Sequence, residues 1–327
     1  MAARFLHSIV RPLGDFAAGT IGPVDLPVNP LSLLLLRFEL TDAADGAAAI
    51  ESPLDDLLTN VNSVIIKHKG ENIISGTLRD LVAVNALVGR RFPGWDRVNS
   101  RTGNIRSVVV PLGFGRKTYN PLECFPATSR GNLTLEITRA ANPAAFTDVN
   151  LSIEAVELIE ATPAKYLKYT PNAQTAVVGQ FDQALPIGNP YVGLLFFDTG
   201  IATLDTIVSS WGAVKLLKDN IEQYYPLSDA ATLAGMLNMQ MRQAFPEWGH
   251  VHATIDAIAA GALTSDFKTP VSQGLRGYFY MDFDPNGDDM YIMETQGASD
   301  IKVRAVGTSA TAVRVMPVEL VSSGVKA

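Results

Sequence analysis

The sequence predicts an all-β protein made of two tandem barrel domains. Three observations lead to this fold class: an internal repeat, segments in which apolar and polar residues alternate, and turn residues at short intervals. The chain has 327 residues, of which 47% are hydrophobic and 18% are charged. This length exceeds one average domain, and this composition supplies enough apolar material for two separate cores.

The repeat consists of three sequence anchors that occur twice in the same order, each recurring about 150 to 160 residues later, which is an ordinary domain length. The first is an Asn-Pro step before an apolar run, the second is a Phe-Pro-x-Trp corner, and the third is a Val-Glu-Leu segment. These anchors lie at residues 26–30 and 185–190, 92–95 and 245–248, and 155–159 and 317–321. We interpret the ordered set as a duplicated unit.

Each unit has mostly the sequence pattern of β-strands. The segments with this pattern are rich in Val, Ile, Leu and Thr, and several alternate apolar with polar residues, which indicates half-buried strands. They are residues 107–111, 132–138, 150–159, 276–283, 300–306 and 312–321. Gly and Pro separate these segments at short intervals, as expected for the tight turns of a sandwich or barrel.

One helix is predicted in each unit from apolar residues at three-to-four spacing. The positions that define the two helices are Leu78, Leu81, Val82, Asn85 and Val88, and then Leu233, Leu237, Met241 and Ala244. Ser228 is the predicted N-cap of the second helix. Each helix leads into a Phe-Pro-x-Trp corner.

The predicted domain map has four parts. They are an N-terminal arm at residues 1–28, a first barrel at 29–163, a linker at 164–186 and a second barrel at 187–327. The linker is placed where prolines and a polar stretch interrupt the strand pattern. Two barrels of similar size therefore follow a separate N-terminal segment.

In the arm, Phe5, Ile9, Leu13 and Phe16 follow three-to-four spacing, which is typical of an amphipathic segment; a disordered tail is the alternative. Burying four such side chains stabilises by roughly 6–12 kcal/mol. Ordering a dozen or more residues costs about 1–2 kcal/mol for each residue. The arm is therefore expected to become ordered only when it docks on a neighbouring subunit or a membrane.

Charge and cysteine content restrict the function classes. The net charge is -7, so direct binding to nucleic acid, which requires clustered Lys and Arg, is not expected. The single cysteine, Cys124, has no partner for an internal disulfide and is predicted to be a buried apolar residue. The apolar run at 31–40 is too short to span a membrane, and residues 1–18 lack the uninterrupted apolar core of a signal peptide.

Two strand-rich units, each with a helix before an aromatic-proline corner, and an N-terminal arm resemble the double-jelly-roll major capsid proteins of tailless icosahedral viruses. The resemblance covers residues 29–321. It implies two tandem eight-stranded jelly rolls and a structural protein of the virion that is not an enzyme. It further implies a homotrimeric, pseudo-hexameric capsomer of an icosahedral shell, such as that of a bacteriophage, assembled in the host cytoplasm, usually over an internal membrane. The implied partners are other copies, penton and minor capsid or membrane proteins, and lipid through the arm.

Two alternative functions share a β-sandwich or barrel fold. A two-domain cupin-type metalloenzyme would use His250 and His252 as a metal pair, but the next glutamate is Glu294 and no histidine follows. A carbohydrate- or receptor-binding virion protein would use surface tryptophans among Trp95, Trp211 and Trp248.

The acidic run at residues 284–289 resembles a calcium loop, but its glycine is too early for an EF-hand, and a hairpin turn leading to a strand at 290–293 is predicted. No nucleophile elbow or phosphate-binding glycine loop is found in the sequence. No catalytic, cofactor-binding or metal-binding residue is therefore predicted, and no cofactor is expected.

Overall fold

The computed structural model describes residues 4–42, 53–95, 105–142, 146–198, 210–236, 252–253, 267–268 and 277–324. The elements of the first half are β1 (Arg4–Asp15), β2 (Gly19–Asp25), β3 (Leu31–Asp42), α1 (Pro53–Asn60), β4 (Val61–His68), β5 (Glu71–Gly76), α2 (Leu78–Val88), β6 (Gly94–Trp95), β7 (Ile105–Gly113), β8 (Leu133–Arg139) and β9 (Phe146–Ile159).

The second half continues with further strands, and a helix begins in it at residue 230. The strands are β10 (Lys165–Tyr169), β11 (Asn172–Thr175), β12 (Gly179–Ala184), β13 (Tyr191–Asp198), β14 (Trp211–Lys218), β15 (Ile221–Glu222), β16 (Ser228–Asp229), β17 (His252–Ala253), β18 (Phe267–Lys268), β19 (Tyr278–Asp282), β20 (Ile301–Gly307) and β21 (Ala312–Ser322). The segments predicted as strands coincide with β7, β8, β9, β19, β20 and β21.

The first half forms a barrel of two facing sheets with nested antiparallel pairing. The outermost pair is β1 with β9, followed by β2 with β8, β3 with β7, and β4 with β5. Cross-pairs of β3 with β9 and β4 with β8 complete the sheets. Eight strands wound in this nested order are the arrangement of a jelly roll.

The second half repeats the same winding. Here β11 pairs with β21, β12 with β20, β13 with β19, and β14 with β15. The cross-pairs β13 with β21 and β14 with β20 occupy the places of those in the first barrel. The first strand of this barrel is divided into β10 and β11, and both segments pair with β21.

The first and third sequence anchors of each unit meet in space and form the same corner twice. In the first barrel the Asn29 side chain donates to Glu157 over 2.7 Å, and in the second the Asn189 side chain donates to Glu319 over 2.7 Å. The residue after each glutamate donates its backbone N–H to the proline carbonyl of the matching Asn-Pro step, over 2.7 and 2.9 Å respectively. These hydrogen bonds explain why the same anchor residues recur in both units.

Apolar side chains at alternate positions of the strands fill the interior of each barrel. On β3 the inward side chains of Leu34, Leu36, Phe38 and Leu40 are all 0% exposed, while the residues between them point outward. Inward residues of β13, β14, β20 and β21 form the second core around Trp211, which is 2% exposed. The apolar period of two therefore produces the sandwich, because successive side chains of a strand point to opposite faces.

The helix predicted in the first unit is α2, and the predicted second helix begins at residue 230. The α2 N-terminus is closed by a capping box between Thr77 and Asp80. The prediction of Ser228 as the second N-cap is wrong, because Ser228 lies in β16 and the Asp229 carboxylate accepts from the Ala231 N–H over 2.8 Å. Helical residues predicted beyond 236 lie outside the described ranges.

The segments assigned from the sequence to an arm and a linker are the first two strands of each barrel. Residues 4–15 and 19–25 form β1 and β2, which pair with β9 and β8. Residues 165–184 contain β10, β11 and β12, which pair with β21 and β20. Domains cut at 29–163 and 187–327 would each keep only six strands of the nested winding, so we place the repeat boundary between residues 159 and 165.

Candidate functional site: the seam between the two barrels

The two barrels are joined through one continuous sheet. Its strand order is β19-β13-β21-β10-β5-β4-β8-β2, so strands of the second barrel pass directly into the sheet of the first. The link is β10, which pairs antiparallel with β21 and parallel with β5 through Tyr169 and Ile74. We call the contact surface around β10, β5 and α2 the seam.

Apolar packing makes the seam part of the first core. The outward face of the second barrel's first sheet contributes Leu195, Met316 and Val318, which cluster with the buried residues of the first barrel. These side chains are 2%, 2% and 0% exposed. Burial of this kind stabilises the contact between the two barrels through the hydrophobic effect.

A buried charge at the N-terminus of α2 binds two side chains of the second barrel. The Asp80 carboxylate accepts from the Tyr278 hydroxyl over 2.6 Å and from the Arg314 guanidinium over 2.8 Å. The Arg314 guanidinium lies 4.0 Å from the centroid of the Phe197 ring, within cation–π range. Burial, followed by the nearby Asp80 charge, raises the pKa of Tyr278 well above its ordinary value, so its hydroxyl remains a proton donor.

Asn85, which lies seven residues before the Phe-Pro-x-Trp corner of the first unit as Asn238 does in the second, has a structural role in the seam. The Asn85 side chain accepts from the Gly113 N–H over 2.7 Å and donates to the Leu81 carbonyl over 2.8 Å. It also contacts the hydroxyl of Tyr169, which belongs to β10. Burial raises the pKa of Tyr169 to about 12. The corresponding Asn238 lies outside the described ranges.

A second polar cluster joins the loop after β7 to the acidic run of the second barrel. The Arg116 guanidinium binds both carboxylate oxygens of Glu123, at 2.9 and 2.8 Å, and contacts Asp284 and Asp289. The Lys165 ammonium contacts the other oxygen of Asp289. The side chains of Arg116, Glu123 and Asp284 are only 9%, 3% and 1% exposed.

Charges in this cluster stabilise each other. Burial disfavours the charged guanidinium, but hydrogen bonds with Glu123, Asp284 and Asp289 outweigh it and raise the pKa of Arg116 above its ordinary value. Burial opposes ionisation of Asp289, but hydrogen bonds from Lys165 and Arg116 outweigh it and lower the pKa of that carboxyl. Arg116 and Asp289 are therefore both charged at neutral pH.

The acidic run folds as a loop around Asp284 and does not form the predicted hairpin. One Asp284 oxygen accepts the N–H groups of Asp288 and Asp289, both over 3.1 Å, while the other contacts Arg116. Beyond the loop, the structure has a single bridge between Met293 and Tyr191 where a strand at 290–293 is predicted. The hairpin prediction is wrong because these carboxylates turn toward the first barrel.

An open cleft of about 370 Å³ lies between the C-terminal end of α2 and the loop after β19. Its lining carries both signs of charge, from Arg90, Lys117 and Asp282. Burial, with a smaller contribution from the neighbouring Asp284 charge, raises the pKa of Asp282. In the described part of the chain, no three His, Cys, Asp or Glu side chains form a group suited to a metal ion.

The residues considered for other functions are not brought together as a site. His250 and Trp248 lie outside the described ranges, and of His252 and Trp95 only the backbone is described, in β17 and β6. Trp211 is buried in the second core, where it makes tilted or edge-to-face contacts with the rings of Phe181, Phe196 and Phe279, and it is therefore not a surface platform for a sugar. Glu294 accepts from the Lys218 ammonium through its backbone carbonyl.

Cys124 is 0% exposed, which confirms its prediction as a buried residue. Burial raises the pKa of its thiol to about 12, so the nucleophilic thiolate is scarcely populated at neutral pH. Among the described residues there is no helix long and apolar enough to cross a membrane.

The buried Glu319 of the duplicated corner gives a testable pH dependence. Burial raises its pKa above the ordinary 4.5, although the bond from Asn189 opposes the shift. The folded state therefore binds a proton more tightly than the unfolded state, so the free energy of unfolding falls as the pH rises from 4.5 through the raised pKa. We expect Glu319→Gln, which stays neutral, to gain stability relative to the wild type across this window. Urea denaturation at several pH values measures the difference, and a pH-independent difference would contradict the assignment.

The fold is similar to solved structures of viral capsid proteins over nearly the full length of each chain. The major capsid protein P2 from bacteriophage PM2 is 14% identical, with 99% of this chain and 100% of that chain covered and a TM-score of 0.59. The chain has the double-jelly-roll fold. The STIV MCP gives a TM-score of 0.64 at 14% identity, covering 98% of this chain and 97% of its own.

The capsid protein VP54 of PBCV-1 gives a TM-score of 0.58 at 11% identity, covering 98% of this chain and 94% of its own. No family model and no curated protein matches the sequence. The resemblance to double-jelly-roll major capsid proteins that the sequence predicts is thus confirmed as a likeness of fold.

Proposed function

We propose that the chain is a major capsid protein of a tailless icosahedral virus and acts through its surfaces, without a catalytic role. The observation that carries this proposal is the match of both barrels, over nearly the whole length of each chain, to major capsid proteins of three viruses. The continuous sheet and buried contacts of the seam support it as well, because a shell protein must keep its two barrels in a fixed relation to present the same edges to every neighbour.

The proposed unit of assembly is a homotrimer with a pseudo-hexameric outline. The two barrels of one chain meet through unlike faces: the first strand of one barrel pairs with the fifth strand of the other. A contact between unlike faces is heterologous, and repeating it generates a closed ring if the rotation closes. Three chains would then supply six similar barrels to one ring.

Further partners and location follow from the same proposal. Neighbouring capsomers and the penton and minor capsid or membrane proteins of the shell would contact the outer rim of the trimer. The protein would assemble in the host cytoplasm and reside in the virion, over an internal membrane. Its net charge of -7 is consistent with contacts to proteins in preference to nucleic acid.

The mass of the purified protein in solution tests this proposal. We expect size exclusion coupled to light scattering to give three times the 35.1 kDa of one chain, and elemental analysis to find no stoichiometric metal. A monomer or dimer loaded with metal would contradict the capsid proposal and favour the cupin-type enzyme. Retention of a monomer on a glycan array would favour the carbohydrate-binding alternative.

A further inference from the structure

The seam within one chain shows how one barrel packs on another, and the duplication identifies the same positions on open surfaces. In the seam, β10 of the second barrel lies beside the β4–β5 hairpin of the first. Leu167 and Tyr169 of β10 are 2% and 0% exposed. At the rim of the seam, the Lys168 ammonium forms an ion pair with Glu71.

The strand β1 occupies in the first barrel the place that β10 occupies in the second. Opposite the two duplicated glutamates, β1 carries Leu6 where β10 carries Lys168. One residue earlier, β1 carries Phe5 where β10 carries Leu167. Phe5 is 67% exposed and Leu6 is 47% exposed, whereas Leu167 is 2% exposed. The position that the seam covers in one barrel is therefore open in the other.

The β14–β15 hairpin is the counterpart of the β4–β5 hairpin. Both turn through two residues with positive φ, at 69–70 and 219–220, as a two-residue type I′ turn requires. Glu71 follows the first turn and Ile221 follows the second, so these residues are equivalent. Ile221 is 65% exposed. Tyr224 and Leu227, a few residues further, are 52% and 63% exposed.

The side chains on the two open surfaces match each other in chemistry. Within the chain, Lys168 faces Glu71 and both are charged. At the equivalent positions, Leu6 and Ile221 are both apolar and both exposed. In the seam the Lys168 and Glu71 side chains are 21% and 73% exposed, so this position lies at the rim of the contact. A contact with only one member altered would set an unpaired charge against an apolar side chain, whereas a change of both members keeps the pair matched.

A second pair in the seam shows the same correspondence. Asp80, the third residue of α2, pairs with Arg314, which lies five residues before the duplicated Glu319. The third residue of the helix that begins at 230 is Thr232, which is exposed, and the residue five before Glu157 is Ser152, which is 4% exposed and so already buried within its own chain. Neither residue carries a charge, so the ion pair of the seam has no counterpart at these positions.

Resting on the proposed function, we propose that β1 of one copy of this chain docks beside the β14–β15 hairpin of a second copy. In this contact Leu6 packs against Ile221 of the second copy, in the geometry by which Lys168 meets Glu71 within one chain. Phe5 and Ile9, each 67% exposed, become covered in the same contact. The docking also protects β1, which is the outer strand of its sheet and would otherwise present an open edge.

Replacing Leu6 and Ile221 with charged residues, singly and together, tests the inference on the full-length protein. We expect Leu6→Lys and Ile221→Glu each to raise the dissociation constant of the trimer by at least about tenfold, because each places one unpaired charge in an apolar contact. The double variant reproduces the Lys–Glu pair of the seam, so its dissociation constant should return to within about threefold of the wild type and become sensitive to salt. Sedimentation velocity over a concentration series measures all four proteins.

Val178→Lys is the matched control, since Val178 is 73% exposed and directly precedes β12, at the end of its sheet opposite the β14–β15 turn. It should leave the trimer unchanged, and circular dichroism should show that every variant is folded. A wild-type trimer that both single variants leave intact would overturn this surface but keep the proposed trimer. Two disruptive single variants with no recovery in the double would overturn the Leu6–Ile221 register. A wild type that stays monomeric at all concentrations would overturn both proposals.

Discussion

Deletion of residues 1–25 is expected to unfold the first barrel. The deletion removes β1 and β2, and with them Phe16, which is 0% exposed and packs against Phe38. Loss of one such buried aromatic side chain costs about 3–5 kcal/mol, whereas a whole domain is stable by about 5–15 kcal/mol. Removing two of eight paired strands in addition exposes the edges of β9 and β8. We expect loss of the near-ultraviolet circular dichroism of the first barrel, with aggregation.

The matched control changes the exposed face of β1 and keeps the strand. The double variant Phe5→Ser, Ile9→Ser alters two side chains that are 67% exposed, so the fold and the unfolding midpoint should be retained. A truncated protein that stays folded, with a midpoint equal to that of the full chain, would show that these residues behave as the separable arm predicted from the sequence.

Arg116→Met is expected to destabilise the protein by about 3–5 kcal/mol, because removing one partner leaves buried carboxylates without their counter-charge. Among the described residues, Arg116 is the cation that forms an ion pair with Glu123, whose side chain is 3% exposed. Since Arg116 also contacts Asp284 of the second barrel, the seam should loosen along with the first barrel. Guanidinium denaturation followed by tryptophan fluorescence measures the change.

Arg304→Met supplies the comparison for this variant. Arg304 forms a two-pronged bond with Asp182 at 2.7 and 2.8 Å, but both side chains are 35% exposed. An exposed pair of this kind contributes little to stability, because water and salt screen the two charges, so we expect a much smaller loss of stability than for Arg116→Met. Equal destabilisation by the two substitutions would contradict the conclusion that burial of the Arg116 cluster makes it important for the seam.

The capsid-like fold could be predicted because its evidence is local and duplicated. The alternation in β8 and β9 identifies half-buried strands, and the same anchors occur in both halves. The Asn29–Glu157 and Asn189–Glu319 bonds explain why those anchors recur: each pair closes the same corner of its barrel. The alternation of apolar and polar residues is clear in strands that bury one face and expose the other.

The first strand of each barrel could not be identified in this way. β1 has Phe5, Ile9 and Leu13 at a spacing that mimics a helix, and most of its side chains are exposed on both faces. Its partner β9 lies about 150 residues further along the chain, as the Ser8–Glu157 bond with a separation of 149 illustrates. Pairing at such a distance leaves no local periodicity, so propensity and spacing favoured an arm.

By itself, the sequence determined the all-β class, the duplication and the absence of a recognisable catalytic motif, since these depend on composition and on short-range patterns. Only the tertiary structure decided where each barrel begins and how the two barrels meet. The seam rests on Arg116 with Asp284, 168 residues apart, and on Asp80 with Arg314, 234 residues apart. Such charges look like ordinary surface residues in the sequence, because only the folded chain brings their partners within hydrogen-bond distance and removes both from water.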